Sequence, residues 1–357
     1  MENTYNPRRP EPQPALGVTL VSGTDYRGAM AVAAQLSGVA AASPRWEVET
    51  TGDDSGDFAL TLADQLMADA DAGTSGNTIV VLEPGADVME VALVLEHVVE
   101  GRHPSLQRIG IVEVMAVTSL TAIEELIFGD GITGPHEFTA SEALAQRLEF
   151  ASTIVLTDLG ADIDERVALV LNFLRRLSPA ARVIPMGEVA AFRRQPAQMF
   201  RGRAHHMGAS MGWQLELADR VRESDTRSGV ESFVFRDPRP FHPARLNRSV
   251  TNELGPHQVG RILRSRGLVR LASRADRVGS WSSAGAVFSL DPTSMLSWDT
   301  NSPVGQEIVF FGVDLDRPAI EKALGACLLS VEELLEGPAL WRDFVDPFPE
   351  WDTEHHH

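Results

Sequence analysis

Five short, mostly apolar runs punctuate the first half of the chain, and the stretches between them have helical spacing. The runs lie at residues 18–21, 78–82, 109–117, 153–156 and 181–184. Residues 29–36, 62–67, 89–99, 120–128, 141–150 and 166–177 carry apolar side chains at helical intervals. A strand that is apolar throughout is buried on both faces, which is the pattern of a parallel sheet covered by helices on either side. Residues 15–190 are therefore expected to form one α/β domain. After about residue 230 the pattern changes to strands at 232–235, 268–272, 287–290 and 308–313, with helices at 243–254 and 318–329. That grouping predicts a smaller α+β domain over 230–352 with an open antiparallel sheet. The loop-rich, charged residues 191–229 read as the linker, and two domains suit a chain of 357 residues.

The first strand leads into a glycine frame. Gly23-Thr24-Asp25-Tyr26-Arg27-Gly28-Ala29-Met30 has two glycines separated by four residues, the spacing of a phosphate-binding loop. Such a loop needs Lys and Ser/Thr at its last two places, to meet the β/γ-phosphates and to hold Mg²⁺. Here those places are Ala29 and Met30, and the only lysine of the chain is Lys322. Backbone amides after Gly23, with Thr24, Asp25, Arg27 and Gly28, could still cradle one anion at a helix N-terminus. The plainer alternative is that both glycines serve a tight strand-to-helix turn.

Composition narrows the function classes. A single cysteine, Cys327, excludes an intramolecular disulfide and a cysteine-based metal cage. No apolar run approaches the ~20 residues needed to span a bilayer. The N-terminal fourteen residues are polar and proline-rich, unlike a signal or transit peptide, and are expected to be a disordered tail. A cytoplasmic location is the expectation that follows. Residues 353–357, ending in three histidines, read as a tag remnant. The formal charge of −19 is uneven: −17 over residues 1–190, +9 over 191–277 and −11 over 278–357. The basic middle either meets a phosphate-rich partner or docks on acidic parts of its own chain. Within it Arg261, Arg264, Arg266, Arg270, Arg274 and Arg277 have partly alternating spacing; Arg264, Arg266, Arg270 and Arg274 would share one face of an extended strand, and Arg261, Arg264, Arg266, Arg270 and Arg274 are a candidate interaction surface.

The C-terminal block carries the most specific pattern. It opens with Arg239-Pro240-Phe241-His242-Pro243-Ala244-Arg245-Leu246 and continues through Arg264-Ser265-Arg266-Gly267 and Leu271-Ala272-Ser273-Arg274. Trp281-Ser282-Ser283-Ala284-Gly285, Cys327-Leu328-Leu329-Ser330 and Asp346-Pro347-Phe348-Pro349-Glu350-Trp351 follow. From about residue 231 to 352 this order resembles the C-terminal domain of the CobW family in its actinobacterial form. The resemblance implies an upstream P-loop NTPase-like GTPase domain that delivers metal ions, usually zinc or cobalt. It also implies a Gly-Cys-x-Cys-Cys metal motif and an Asn-Lys-x-Asp guanine motif. Laid on that order, the chain departs at each chemical position. The metal motif falls on Gly56-Asp57-Phe58-Ala59-Leu60-Thr61 and lacks all three cysteines. Glu83-Pro84-Gly85-Ala86-Asp87 keeps the next acidic-glycine stretch only roughly. Met115 stands where an acidic residue is expected, and the guanine motif reduces to Leu156-Thr157-Asp158-Leu159.

These departures predict a pseudo-GTPase: no catalytic residues, no metal ligands, and neither nucleotide nor zinc as a working cofactor. Thiolates suit zinc by softness and geometry, and Asp57, Ala59 and Leu60 do not replace them. Cys327, in the apolar stretch 324–329, is expected to be a core thiol. His205 and His206 would need partners such as His242 or His257 to bind a metal. His242 reads either as an acid/base or, more simply, as a helix-start packing residue. The resemblance implies a regulatory or interaction role in zinc homeostasis, with a protein or the ribosome as partner and neither membrane nor DNA. A metallochaperone with an altered site and an RNA-binding module are the alternatives.

Overall fold

The computed structural model describes residues 16–39, 45–47, 55–102, 109–129, 135–191, 207–219 and 229–351. The N-terminal tail, the terminal histidines, His205, His206 and most of the expected linker lie outside these residues. The chain divides into two compact units. The first takes the described residues of 1–122, 146–162 and 180–211; the second takes those of 123–145, 163–179 and 212–357. The division thus differs from the single boundary expected at 191–229, because two segments from the first half of the chain group with the second unit.

The first unit is built on a six-stranded sheet. Its strands are β1 Leu16–Gly23, β2 Arg45–Glu47, β3 Gly76–Val81, β4 Ile109–Thr118, β5 Thr153–Leu156 and β6 Arg182–Pro185, in the order β2-β3-β1-β4-β5-β6. Every neighbouring pair is parallel. The central strand β1 is buried along its whole length, as its unbroken apolar run requires. Helix α1, Tyr26–Val39, lays Ala29, Val32 and Ala33 on the face formed by Val21, Ile79, Val81, Met115, Val117 and Val155. Helices α2, Ser55–Asp71, and α3, Val88–Arg102, pack against one another and against β1 and β4. The α/β expectation holds. The short β2 has no apolar run to announce it.

Helices α4, Leu120–Leu126, and α5, Pro135–Phe150, contribute residues to both units, and α6, Glu165–Leu177, belongs to the second. The second unit's sheet runs β10-β9-β8-β11-β7 and is antiparallel throughout. Its strands are β7 Glu231–Asp237, β8 Arg261–Val269, β9 Arg277–Ala284, β10 Val287–Leu296 and β11 Gln306–Val313. Helices α7 Gly212–Leu217, α8 Pro243–Asn252, α9 Pro256–Val259 and α10 Arg317–Cys327 complete its main framework.

Alternation along β11 sets the layers. Ile308 and Phe310 face a core with Phe233, Phe241, Leu246, Trp281, Ile320 and Leu324. Val309 and Phe311 point the other way and are equally buried, with α6 and α7 against that side of β11. Among the described residues no helix is long and apolar enough to cross a membrane.

Candidate functional site

In open parallel sheets, ligands bind outside the carboxyl ends of the strands, where the strand order reverses. Here β1 lies between β3 and β4, so that place is the carboxyl end of β1, at Gly23. Thr24 and Asp25 are the whole turn, and Tyr26 already begins α1. Gly28 is therefore a helical residue, two of the four spacer residues are in the helix, and no extended cradle forms. Gly23 is glycine because the turn is tight: a Cβ there would stand 2.7 Å from the Asp25 carbonyl oxygen.

Two amide donors at this turn are engaged. The Thr24 N–H donates to the Val117 carbonyl at 3.1 Å, and the Gly28 N–H donates to Asp25 Oδ1 at 2.7 Å. An aspartate cap puts a negative charge at the positive end of the helix, the position a phosphate would take. The position of the missing lysine is equally closed. Ala29 is fully buried under α1, and Met30 packs against the same core, while Arg27 and Tyr26 are exposed. Replacing Asp25 with alanine is expected to lower first-unit stability by about 0.5–2 kcal/mol through loss of the cap. Thermal unfolding followed by circular dichroism measures it, and an unchanged midpoint would contradict the capping role.

The same device recurs along this edge. Asp87 accepts from the Met89 and Glu90 amides at 2.9 and 3.1 Å, capping α3. Asp158 accepts from the Leu120 and Thr121 amides at 2.6 and 3.2 Å and from the Thr121 hydroxyl. Three helices that follow strands of the first sheet thus begin on carboxylates of their own chain. Two buried hydroxyls near this edge, Ser22 and Thr118, have no hydrogen-bond partner among the described residues. Each is fully or almost fully enclosed and is adjacent in sequence to a residue facing α1, so alternation turns it away from that helix. They do not stand in for a Mg²⁺-holding hydroxyl at the head of α1.

The acidic residue of β4 is Glu113, two positions before Met115, and sequence reasoning missed it. It is buried and accepts from Thr153 Oγ1 at 2.9 Å, from Ser152 and from Arg182 at 3.1 Å. Its hydrogen bonds join β4 to the starts of β5 and β6. Residues 56–61, where a metal motif was expected to fall, lie in the first turns of α2 with Ala59 in the core and Leu60 exposed. Among the described residues no group of three or more His, Cys, Asp and Glu side chains is placed to hold a metal ion.

In the second unit, four of the five arginines read as a candidate interaction surface are engaged by groups of their own unit. Arg264 is wholly buried, donating to both carboxylate oxygens of Glu142, at 2.6 and 3.2 Å, and to the Ser282 hydroxyl at 2.9 Å. Arg266 lies 3.6 Å from Glu142 and over the Trp213 ring. Arg270 donates to the carbonyls of Pro303 and Ser297, and Arg274 to Asp346 and the Phe348 carbonyl. The reason is positional: Arg264 and Arg266 pair with Phe311 and Val309, on the face of the sheet that is covered rather than open. Arg261, at the start of β8, is partly buried.

His242 and Cys327 meet at the start of α8. The His242 N–H donates to the Cys327 carbonyl at 2.8 Å, and its ring stacks on Phe344 at 4.5 Å. Burial, reinforced by Arg245, holds the imidazole below its ordinary pKa, so it is neutral at pH 7. The Cys327 thiol is in the core and burial pushes its pKa up, away from thiolate chemistry.

Residues 230–328 match the family model of the cobalamin synthesis protein cobW C-terminal domain. The chain is 27% identical over 244 residues to the zinc-regulated GTPase metalloprotein activator 1 of Dictyostelium discoideum, covering 60% of this chain and 50% of that one. It is 28% identical over 249 residues to the zinc chaperone Rv0106 of Mycobacterium tuberculosis, covering 61% and 56%. The chain therefore spans about half the length of the curated relatives it matches. Among solved structures, the Zn(II)-bound YjiA GTPase from E. coli aligns at 15% identity with a TM-score of 0.37, over 89% of this chain and 100% of that chain.

Proposed function

Because residues 230–328 are a CobW C-terminal domain, we propose that the chain is a CobW-type protein of metal homeostasis that works by interaction rather than catalysis. The observation that carries this reading is the head of α1. Its Gly28 amide is taken by Asp25, its helix begins two residues after β1 ends, and a buried alanine stands at the lysine position. A nucleotide's phosphates do not fit there: they would meet a carboxylate and an engaged amide where phosphate binding needs free donors and a cation. The names of the relatives support zinc as the metal whose handling the protein serves. Its partner is a protein surface, and the engaged arginines of the second unit argue against a nucleic-acid footprint on β8.

The test is calorimetric titration of the full chain with Mg·GTP and Mg·ATP. No saturable heat is expected, and micromolar binding coupled to turnover would sink the reading. Grafting the missing residues sharpens it. The double change Ala29→Lys and Met30→Ser is expected to leave nucleotide binding absent, because the turn stays short and Asp25 stays in place. It should also destabilise the first unit, since the new ammonium would be buried in an apolar core. Recovery of tight GTP binding by that graft would show that only two side chains, and not the turn, had been lost.

A further inference from the structure

The second unit contains a cavity of about 220 Å³ that none of the features above uses. Strand register builds its floor. Phe288, Ser283, Ser265 and Phe310 form a row of opposed residues across β10, β9, β8 and β11, so alternation puts all four side chains on one face of the sheet. Trp281, two residues before Ser283, shares that face and stands edge-on to Phe288 at 4.8 Å and to Phe310 at 6.3 Å. An apolar body with a few convergent polar groups is what small-molecule sites share.

No counter-charge faces this cavity. Among the described residues that line it, the one ionisable side chain is Arg261. Arg261 stands opposite Val313, on the other face of the sheet from Phe310 and Ser265, and it is already engaged. A charged ligand would be enclosed here without a partner for its charge, which is costly. The lining therefore favours a neutral one.

Counting hydrogens shows which polar group that ligand should carry. The Trp281 indole N–H donates to Ser265 Oγ at 2.7 Å, and Ser265 and Ser283 share a hydrogen bond of 2.5 Å. Two hydroxyls carry two hydrogens, and only one can lie between them. Among the described residues neither hydroxyl has another partner, so whichever donates to the other, one O–H remains to be given. Both serines line the cavity, and an acceptor oxygen inside it would take that hydrogen. Size sets the rest. A cavity of about 150 Å³ holds benzene, so this one admits an aromatic ring with a short branch.

We propose that this cavity binds a small neutral aromatic compound with one acceptor oxygen, of the aryl ketone or aldehyde class. Its ring lies against Trp281, Phe288 and Phe310, and its oxygen accepts from the serine pair. The site lies wholly in the second unit and does not involve the head of α1.

Acetophenone is the probe and benzoate its charged comparator, each titrated into the full chain by saturation-transfer NMR. Acetophenone is expected to bind saturably, and benzoate at least about tenfold more weakly, for want of a counter-charge. The infrared carbonyl stretch of bound, carbonyl-labelled acetophenone should lie below its value in cyclohexane, as donation from an O–H requires. Val250→Phe, which grows a ring into the cavity from α8, should abolish binding without lowering the thermal midpoint. In the unmodified chain the Trp281 indole N–H resonance should move with acetophenone, a readout that survives if the Val250 variant fails to fold. No saturable binding, a motionless Trp281 resonance, or full binding by folded Val250→Phe would overturn the proposal. Benzoate binding as tightly would overturn the neutral class, and a stretch at the cyclohexane value would show a plain apolar void and overturn the role of the serines.

Discussion

Changing Arg264 to alanine is expected to cost the second unit about 3–5 kcal/mol, because the largely buried Glu142 carboxylate loses its two-pronged partner and keeps only Arg266, 3.6 Å away, as counter-charge. Arg264 is completely enclosed, and Glu142 is four-fifths so, with a side-chain exposure of 19%. Burial alone would push the Glu142 pKa up. Arg264 and Arg266, with the hydrogen bond from Ser282, outweigh it and hold the carboxyl below the usual range. The sign of the pH effect follows. A carboxyl depressed in the folded state contributes stability that is full above its unfolded value of about 4.3 and is lost as pH falls through the folded value. The second unit is therefore expected to weaken below about pH 4 through this pair, and Arg264→Ala should flatten that dependence.

Urea unfolding at pH 7 and at pH 4 measures both effects. A loss at pH 7 under about 1 kcal/mol would mean the pair behaves like a solvated one. Removing both charges, as Arg264→Met with Glu142→Leu, should be milder than either single change, since the enclosed pair is removed together and only the less buried Arg266 loses a carboxylate neighbour. There is a practical consequence for tests of nucleic-acid binding. Reversing Arg264, Arg266 and Arg270 together would destroy the unit, so a lost interaction in that variant would report unfolding.

Gly260→Ala is expected to be nearly as damaging, at about 2–5 kcal/mol. This residue joins α9 to β8 with φ 78° and ψ 179°, a conformation essentially reserved for glycine. A Cβ there would stand 1.9 Å from the Asp314 carbonyl oxygen, which is backbone and cannot swing aside. The Asp316 N–H donates to the Val259 carbonyl across the same junction at 2.9 Å, fixing the two segments together. Gly325→Ala is the opposite control. It lies in α10 with nothing within 4 Å of its would-be Cβ, so alanine should stabilise by about 0.4–1 kcal/mol. Equal effects from the two changes in thermal unfolding would refute the steric account.

The apolar runs of the first half translated directly into strands. Residues 153–156 became β5 without an error at either end, and 109–117 became β4 less one residue. The same reasoning failed on β8 and β9. It placed a strand at 268–272 where β8 runs Arg261–Val269, and placed none at Arg277–Ala284. Both sequences are polar, Arg-Ile-Leu-Arg-Ser-Arg-Gly-Leu-Val and Arg-Val-Gly-Ser-Trp-Ser-Ser-Ala, yet Arg264, Ser265 and Ser282 are buried. An apolar-period reading cannot see a strand whose interior positions satisfy one another by hydrogen bonds.

What the sequence determined by itself is the chemistry that is absent. No lysine stands at position 29, no hydroxyl at 30 and no cysteine in residues 56–61. Residue identity is local, so those losses can be read without coordinates. What only the tertiary structure decided is how the remaining polar groups are spent. The Thr24 amide is closed by Val117, the α4 amides by Asp158, and Arg264 by a carboxylate 122 residues away in the chain. Each of those pairings depends on two distant segments arriving at hydrogen-bond distance. An arginine on an alternating strand looks the same in sequence whether its face meets solvent or Glu142.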